Sequence, residues 1–170
     1  MYIVSACLVG VKCKYDGGDN EVPQLKKLVA GGKALPLCPE QLGGLTTPRD
    51  AAEICNGSGP EVLLKRARVL TRGGKDVSRE FIRGAREVAR LCDLTGASVA
   101  ILKENSPSCG SSFIYDGSFQ GGLVPGEGVT TALLRQKGIQ VFDENSWEKA
   151  LIPVSGKKKG GRKNDCDHHA

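Results

Sequence analysis

Histidine is nearly absent: the only two in 170 residues are His168 and His169, at the extreme end. A histidine-dependent catalytic triad in the body of the chain is therefore excluded. No Cys-x-x-Cys pair occurs, so a zinc ribbon or a thioredoxin-like motif gets no support. No apolar run approaches the roughly 20 residues that span a bilayer. The segment Met1 to Val11 is apolar but lacks a basic n-region and a small-residue cleavage site, and Lys12-Cys13-Lys14 interrupts it. A cytoplasmic protein with no membrane partner is expected. Aromatics are few, at 5%, yet a 39% hydrophobic share at this length still builds a core and suits one domain.

The net charge is +5. From Gly156 onward there are five Lys or Arg against two Asp, so +3 of that charge sits at the end of the chain. The preceding residues are nearly balanced, which does not suit a dedicated nucleic-acid-binding domain; weak phosphate contact by the tail is the most that is expected. The organisation expected is a domain over 1–150 and a basic, disordered tail over 151–170.

What the chain does have is seven cysteines, an odd number that argues for thiols bound to a metal or used in a reaction. Cys92 lies among Phe81, Ile82, Ala85, Val88 and Ala89 at helical spacing and reads as a small core residue. Cys55 sits beside the flexible Asn56-Gly57-Ser58-Gly59. Cys166, in Asp165-Cys166-Asp167-His168-His169, has no scaffold to fix a metal geometry. The remaining four share another setting. Cys7 follows the β-prone Tyr2-Ile3-Val4-Ser5, Cys38 follows Ala34-Leu35-Pro36-Leu37, and Cys109 follows residues 98–102 across the loop Lys103 to Ser108. Cys13 lies in the loop Gly10 to Asp19.

The pattern predicts strands at 2–5, 34–37, 98–102 and 139–142, and helices at about 22–30, 76–94 and 129–136, with a short last helix at 146–150. Asn20 is a capping candidate for the first helix. Residues 42–60 read as an extended loop, 61–64 and 68–71 as short strands, and 113–115 as another. Alternating strands and helices imply an α/β fold: a single three-layer domain with a mostly parallel, Rossmann-like sheet and long Gly/Pro-rich loops at the strand C-terminal edge. Right-handed crossovers send Cys7, Cys38 and Cys109 to that one edge, where such sheets bind ligands.

Three thiolates at one site suit zinc or an iron–sulfur cluster. Structural zinc sites usually use close ligand pairs, which are missing; a cubane accepts ligands from separate loops. Buried, incidental cysteines are the bland alternative. Glu40, two residues after Cys38, could act as a general acid or base, or be a surface carboxylate. Ser106 and Ser108 could bond a substrate or simply shape the Ser-Pro turn. Arg49 could meet an anionic ligand or form a structural ion pair. Gly121 to Gly128 matches neither a dinucleotide fingerprint nor a P-loop.

Six stretches carry a resemblance. They are Val4-Ser5-Ala6-Cys7-Leu8-Val9-Gly10, Lys14-Tyr15-Asp16-Gly17, Leu37-Cys38-Pro39-Glu40-Gln41-Leu42-Gly43-Gly44, Thr47-Pro48-Arg49, residues 101–111 around Ser106-Pro107-Ser108-Cys109-Gly110, and Ile114-Tyr115-Asp116-Gly117. Together, from about Tyr2 to Trp147, the chain resembles the DUF523 family, which includes the thiouracil desulfidases. The resemblance implies a [4Fe-4S] cluster on Cys7, Cys38 and Cys109 with one iron not ligated by protein, which aerobic preparation would remove or replace by zinc. It implies a hydrolase-type desulfidase that turns the C=S of a thiolated pyrimidine base or nucleoside into C=O and releases hydrogen sulfide. Glu40 and Ser106 would be catalytic, with Ser108 and Arg49 at the substrate; Cys13 is left as a fourth ligand, a sulfur acceptor or a neighbour. The competing readings are a non-catalytic metal or redox sensor, and a small-anion-binding module with incidental cysteines.

Overall fold

The computed structural model describes residues 1–151; of the tail expected over 151–170, residues 152–170, Cys166 among them, lie outside that range. Four parallel strands, β1 (Tyr2–Ser5), β2 (Ala34–Leu37), β5 (Val99–Leu102) and β8 (Gln140–Asp143), form the central sheet in the order β2-β1-β5-β8. Tyr2 pairs with Ala34 on one side and with Val99 on the other. The chain leaves β1 for β2, returns past β1 and enters β5, so the switch point lies between β1 and β5.

Alternation along β1 explains the layers. Ile3 faces Val88, Ala89 and Cys92 of α4 (Ser78–Thr95) and Leu134 of α5 (Val129–Gln136). Val4 faces the other way, toward Leu25 of α1 (Pro23–Ala30) and Ile101. Period two in the strand thus places one helix layer on each side of the sheet. The sheet is a three-layer α/β core, as the pattern of alternating elements predicts. Cys92 is a core residue, 2% exposed, on the α4 face.

A third apolar cluster, with Ile54, Val62, Val69, Phe81 and Ile114, supports an annex beside the sheet edge. Its hairpin pairs β3 (Ala52–Cys55) antiparallel with β4 (Arg68–Thr71), with α3 (Gly59–Leu63) between them. Here the sequence expectation needs correcting. Residues 42–60 are not one loop, since β3 lies inside them, and 61–64 are largely helix rather than strand. Pro60 opens that helix, and the Glu61 carboxylate accepts the backbone N–H and hydroxyl of Ser58, so the local hydrogen bonds favour a turn over an extended run. A second small hairpin joins β6 (Phe113–Tyr115) to β7 (Leu123–Pro125), the latter within the glycine-rich stretch. The last short helix is a 3₁₀ turn, Trp147–Leu151. Among the described residues, no helix is long and apolar enough to cross a membrane.

Candidate functional site

Beyond the C-terminal ends of β1, β2 and β5 lies a cavity of about 490 Å³, lined by Cys7, Cys13, Cys38 and Cys109 together with Glu40, Arg49 and Ser106. Each arrives by a distinct local device. After Ser5 the chain winds into a one-turn 3₁₀ helix, Ala6–Val9, closed by Gly10 at φ 88°, which turns Cys7 back over the strand end. Cys38 sits where β2 ends, immediately before the short helix α2 (Pro39–Leu42), so Glu40 follows in the first turn. Cys109 is set by the Ser106 Oγ, which accepts the backbone N–H groups of Ser108 and Cys109 at 3.1 and 3.2 Å. The buried carboxylate of Glu104 accepts the N–H groups of Ser111, Ser112 and Phe113 and ties down the far side of the same loop.

The thiols are chemically unequal. Contact of the Cys13 thiol with those of Cys38 and Cys7 raises the Cys13 pKa and lowers the other two. Cys38 falls to about 7, helped after Cys13 by the backbone N–H of Gln41 and by Arg49, against its burial and the charge of Glu40. Burial pushes Cys109 up, with the Ser5 hydroxyl pulling the other way. Cys13 is 2% exposed and belongs to the site's wall, although the chain around it is a loop. Cys55 contacts the carbonyls of Gly117 and Glu53 and is not on the cavity.

Arg49 is a clamp. Its Nε donates to Glu40 Oε2 at 2.7 Å, Nη1 to Thr46 O and Thr47 Oγ1, and Nη2 to Cys13 O at 3.0 Å as well as toward Glu40. Its donors are thus spent on holding Glu40 and the Cys13 loop, which favours the ion-pair reading over direct contact with an anion. Ser108 is a correction. It is fully buried, its hydroxyl lies 2.9 Å from Thr130 Oγ1, and it does not line the cavity. Residues 107–109 form a turn in which the Ser108 N–H folds back onto Ser106 Oγ, so only Ser106 of the two lines the cavity. Residues not expected at the site also line the wall: Ser5, Glu53, Arg72, Lys103, Phe119 and Asn20, expected from the sequence as a helix cap. Asn20 does not cap α1, whose N-cap is Val22; it hydrogen-bonds Cys7 instead.

A family model described as 2-thiouracil desulfurase matches residues 2–146. The chain belongs to this family. Within the 2-thiouracil desulfurase family, its similarity extends to an uncharacterised protein, YbbK, of Bacillus subtilis (strain 168), 47% identical over 145 residues, which are 85% of this chain and 96% of that protein. It is also similar to the solved structure of a [4Fe-4S]-dependent thiouracil desulfidase, TudS, with a TM-score of 0.78 and 48% identity over 87% of this chain and 93% of that one. In this 2-thiouracil desulfurase family member the donor set itself fits an iron–sulfur cluster. Four soft thiol donors come from the segments after three different strands around one cavity, and soft thiolates suit Fe–S clusters. Among the described residues no three His, Cys, Asp or Glu side chains are gathered closely enough, as they stand, to hold a single metal ion.

Proposed function

We propose that this protein removes sulfur from a thiolated pyrimidine base or nucleoside by hydrolysis, exchanging C=S and water for C=O and hydrogen sulfide with no net redox change. Cys7, Cys38 and Cys109 are the residues that would hold a [4Fe-4S] cluster. When bound through three thiolates, the cluster supplies one iron free to act as a Lewis acid toward the thiocarbonyl sulfur.

The chain's own residues do the rest. Glu40 Oε2 is pinned by Arg49, while Oε1 has no partner among the described residues and is available to take the proton of an attacking water. Ser106 uses its oxygen as an acceptor for two backbone N–H groups, so its own proton is left to donate toward the substrate. Water adds to the carbon as Glu40 removes one of its protons; the C–S bond breaks as the added hydroxyl gives up the other to become C=O, and both protons end on the leaving sulfur as hydrogen sulfide. The observation that carries this reading is the convergence of three cysteines, one carboxylate and one hydroxyl from three strand ends on a single cavity at the β1/β5 switch point.

The test is anaerobic reconstitution with iron and sulfide counts and visible absorption, followed by addition of 2-thiouracil and 4-thiouridine while hydrogen sulfide is measured. Sulfide release is expected, and Glu40→Gln should keep the cluster's colour while losing about 10²–10⁴-fold in turnover. A cluster that releases no sulfide from either compound would favour the sensor reading. Full turnover in Glu40→Gln would remove Glu40 from the mechanism.

A further inference from the structure

Ser5 is a hydroxyl at the end of a strand whose neighbours Ile3 and Val4 are fully buried and apolar, and it is itself only 2% exposed. Packing alone gives no reason for a polar group there. Its hydrogen bonds do. The backbone N–H of Lys103 donates to Ser5 Oγ at 3.0 Å, so the oxygen's acceptor role is occupied from the β5 side. The hydroxyl proton is then directed to Cys109 Sγ, 3.6 Å away. Asn20 makes the matching arrangement at another cysteine. Its backbone N–H holds Cys7 O at 2.9 Å, and Asn20 lines the cavity wall together with Cys7, whose pKa it lowers. Two of the three cysteines at the strand ends thus have a polar side chain set beside them, Ser5 at Cys109 and Asn20 at Cys7.

We infer that Ser5 and Asn20 are positioning residues that hydrogen-bond the sulfurs of Cys109 and Cys7 and thereby tune the cluster those sulfurs hold. This rests on the ligand assignment proposed above. Donors to a ligating sulfur withdraw electron density from the iron–thiolate bond, raising the reduction potential and making an open iron a stronger Lewis acid toward sulfur. In a reaction that is not itself redox, the potential is then a reporter of Lewis acidity, and the same donors bear on turnover.

The experiment uses the anaerobically reconstituted protein and three variants, Ser5→Ala, Asn20→Ala and the conservative Ser5→Thr. Two quantities are read: the midpoint potential of the cluster, and the Fe–S(Cys) stretching bands by resonance Raman in H₂O and in D₂O. The expected result is a lower midpoint potential in both alanine variants at unchanged iron and sulfide content, a smaller D₂O shift of the stretching bands, and restoration of both by Ser5→Thr. Unchanged potential and unchanged D₂O shift in both alanine variants would overturn the inference. Ser5→Ala also strips the Lys103 N–H of its acceptor; should that variant not fold, Asn20→Ala and the D₂O shift of the wild type decide, and a wild-type cluster insensitive to D₂O overturns the inference alone. A wild type that assembles no cluster overturns the desulfidase reading first.

Discussion

Ser106 and Ser108 are separated by one proline, yet one hydroxyl organises the cavity edge and the other is sealed in the interior. Ser108 pairs with Thr130 in the first turn of α5, and its carbonyl accepts the Thr130 N–H at 2.8 Å. Ser108→Ala is therefore expected to act on stability. It leaves the buried Thr130 hydroxyl without its partner, a loss of about 1–3 kcal/mol, while KM and cluster content stay unchanged. Thermal melts set beside sulfide-release kinetics check this; a raised KM at unchanged melting temperature would return Ser108 to the substrate. At this scale the sequence was informative about which atoms are chemically capable and less so about where they point. The sorting of Cys7, Cys38 and Cys109 by the strands they follow matches their convergence. The roles of Arg49 and Asn20 depended on partners 36 and 13 residues away that no local pattern names.

Gly84 shows how an element can matter through what it lacks. It lies inside α4, where Ala would ordinarily improve helix formation by up to about 1 kcal/mol. A Cβ there would sit 2.0 Å from the Pro39 carbonyl oxygen, and one on Gly43 would sit 2.1 Å from the Glu80 carbonyl oxygen. The two helices thus meet backbone to backbone, and α2 is the element that carries Glu40 directly after Cys38. Gly84→Ala is expected to destabilise by about 1–3 kcal/mol through overpacking and to displace α2 from the cavity. Turnover should then fall further than cluster content does, because the Glu40–Arg49 pair moves while Cys7 and Cys109 rest on other elements. Circular-dichroism melts with iron counts and sulfide release read this; a variant that melts higher and turns over normally would show that α2 is not held by this contact. The long helix could be read from the periodicity of its 18 residues, and the main strands as short apolar, β-prone runs bounded by turn residues. The annex could not. Ala52 to Cys55 gives no alternation, since Glu53 and Ile54 are both buried; Val62-Leu63-Leu64 looks β-prone unless the Ser58…Glu61 capping pair is given more weight.

Across the whole molecule, the site draws its ligands from three strand ends of one parallel sheet, and this has a thermodynamic consequence. A group held by Cys7, Cys38 and Cys109 binds the folded arrangement and finds no such constellation in the unfolded chain, so its binding adds to folding stability. The sheet nevertheless has its own core on both faces: Ile3, Leu102 and Leu134 on one, Val4, Leu8, Leu25 and Ile101 on the other, all fully buried. Full burial of a side chain of this kind contributes about 1.5–3 kcal/mol, and none of these contacts runs through a bound group. Stripping the cluster with a chelator is thus expected to leave native secondary structure and a single cooperative melt, at a lower temperature. For about 150 residues, each kcal/mol of linkage lost should lower Tm by about 2–4 °C. Calorimetry of the loaded and stripped protein measures the difference. A stripped chain that is unfolded would mean that the three strand ends are held by their ligand rather than presented to it; an identical Tm would mean that the cysteines hold no group at all.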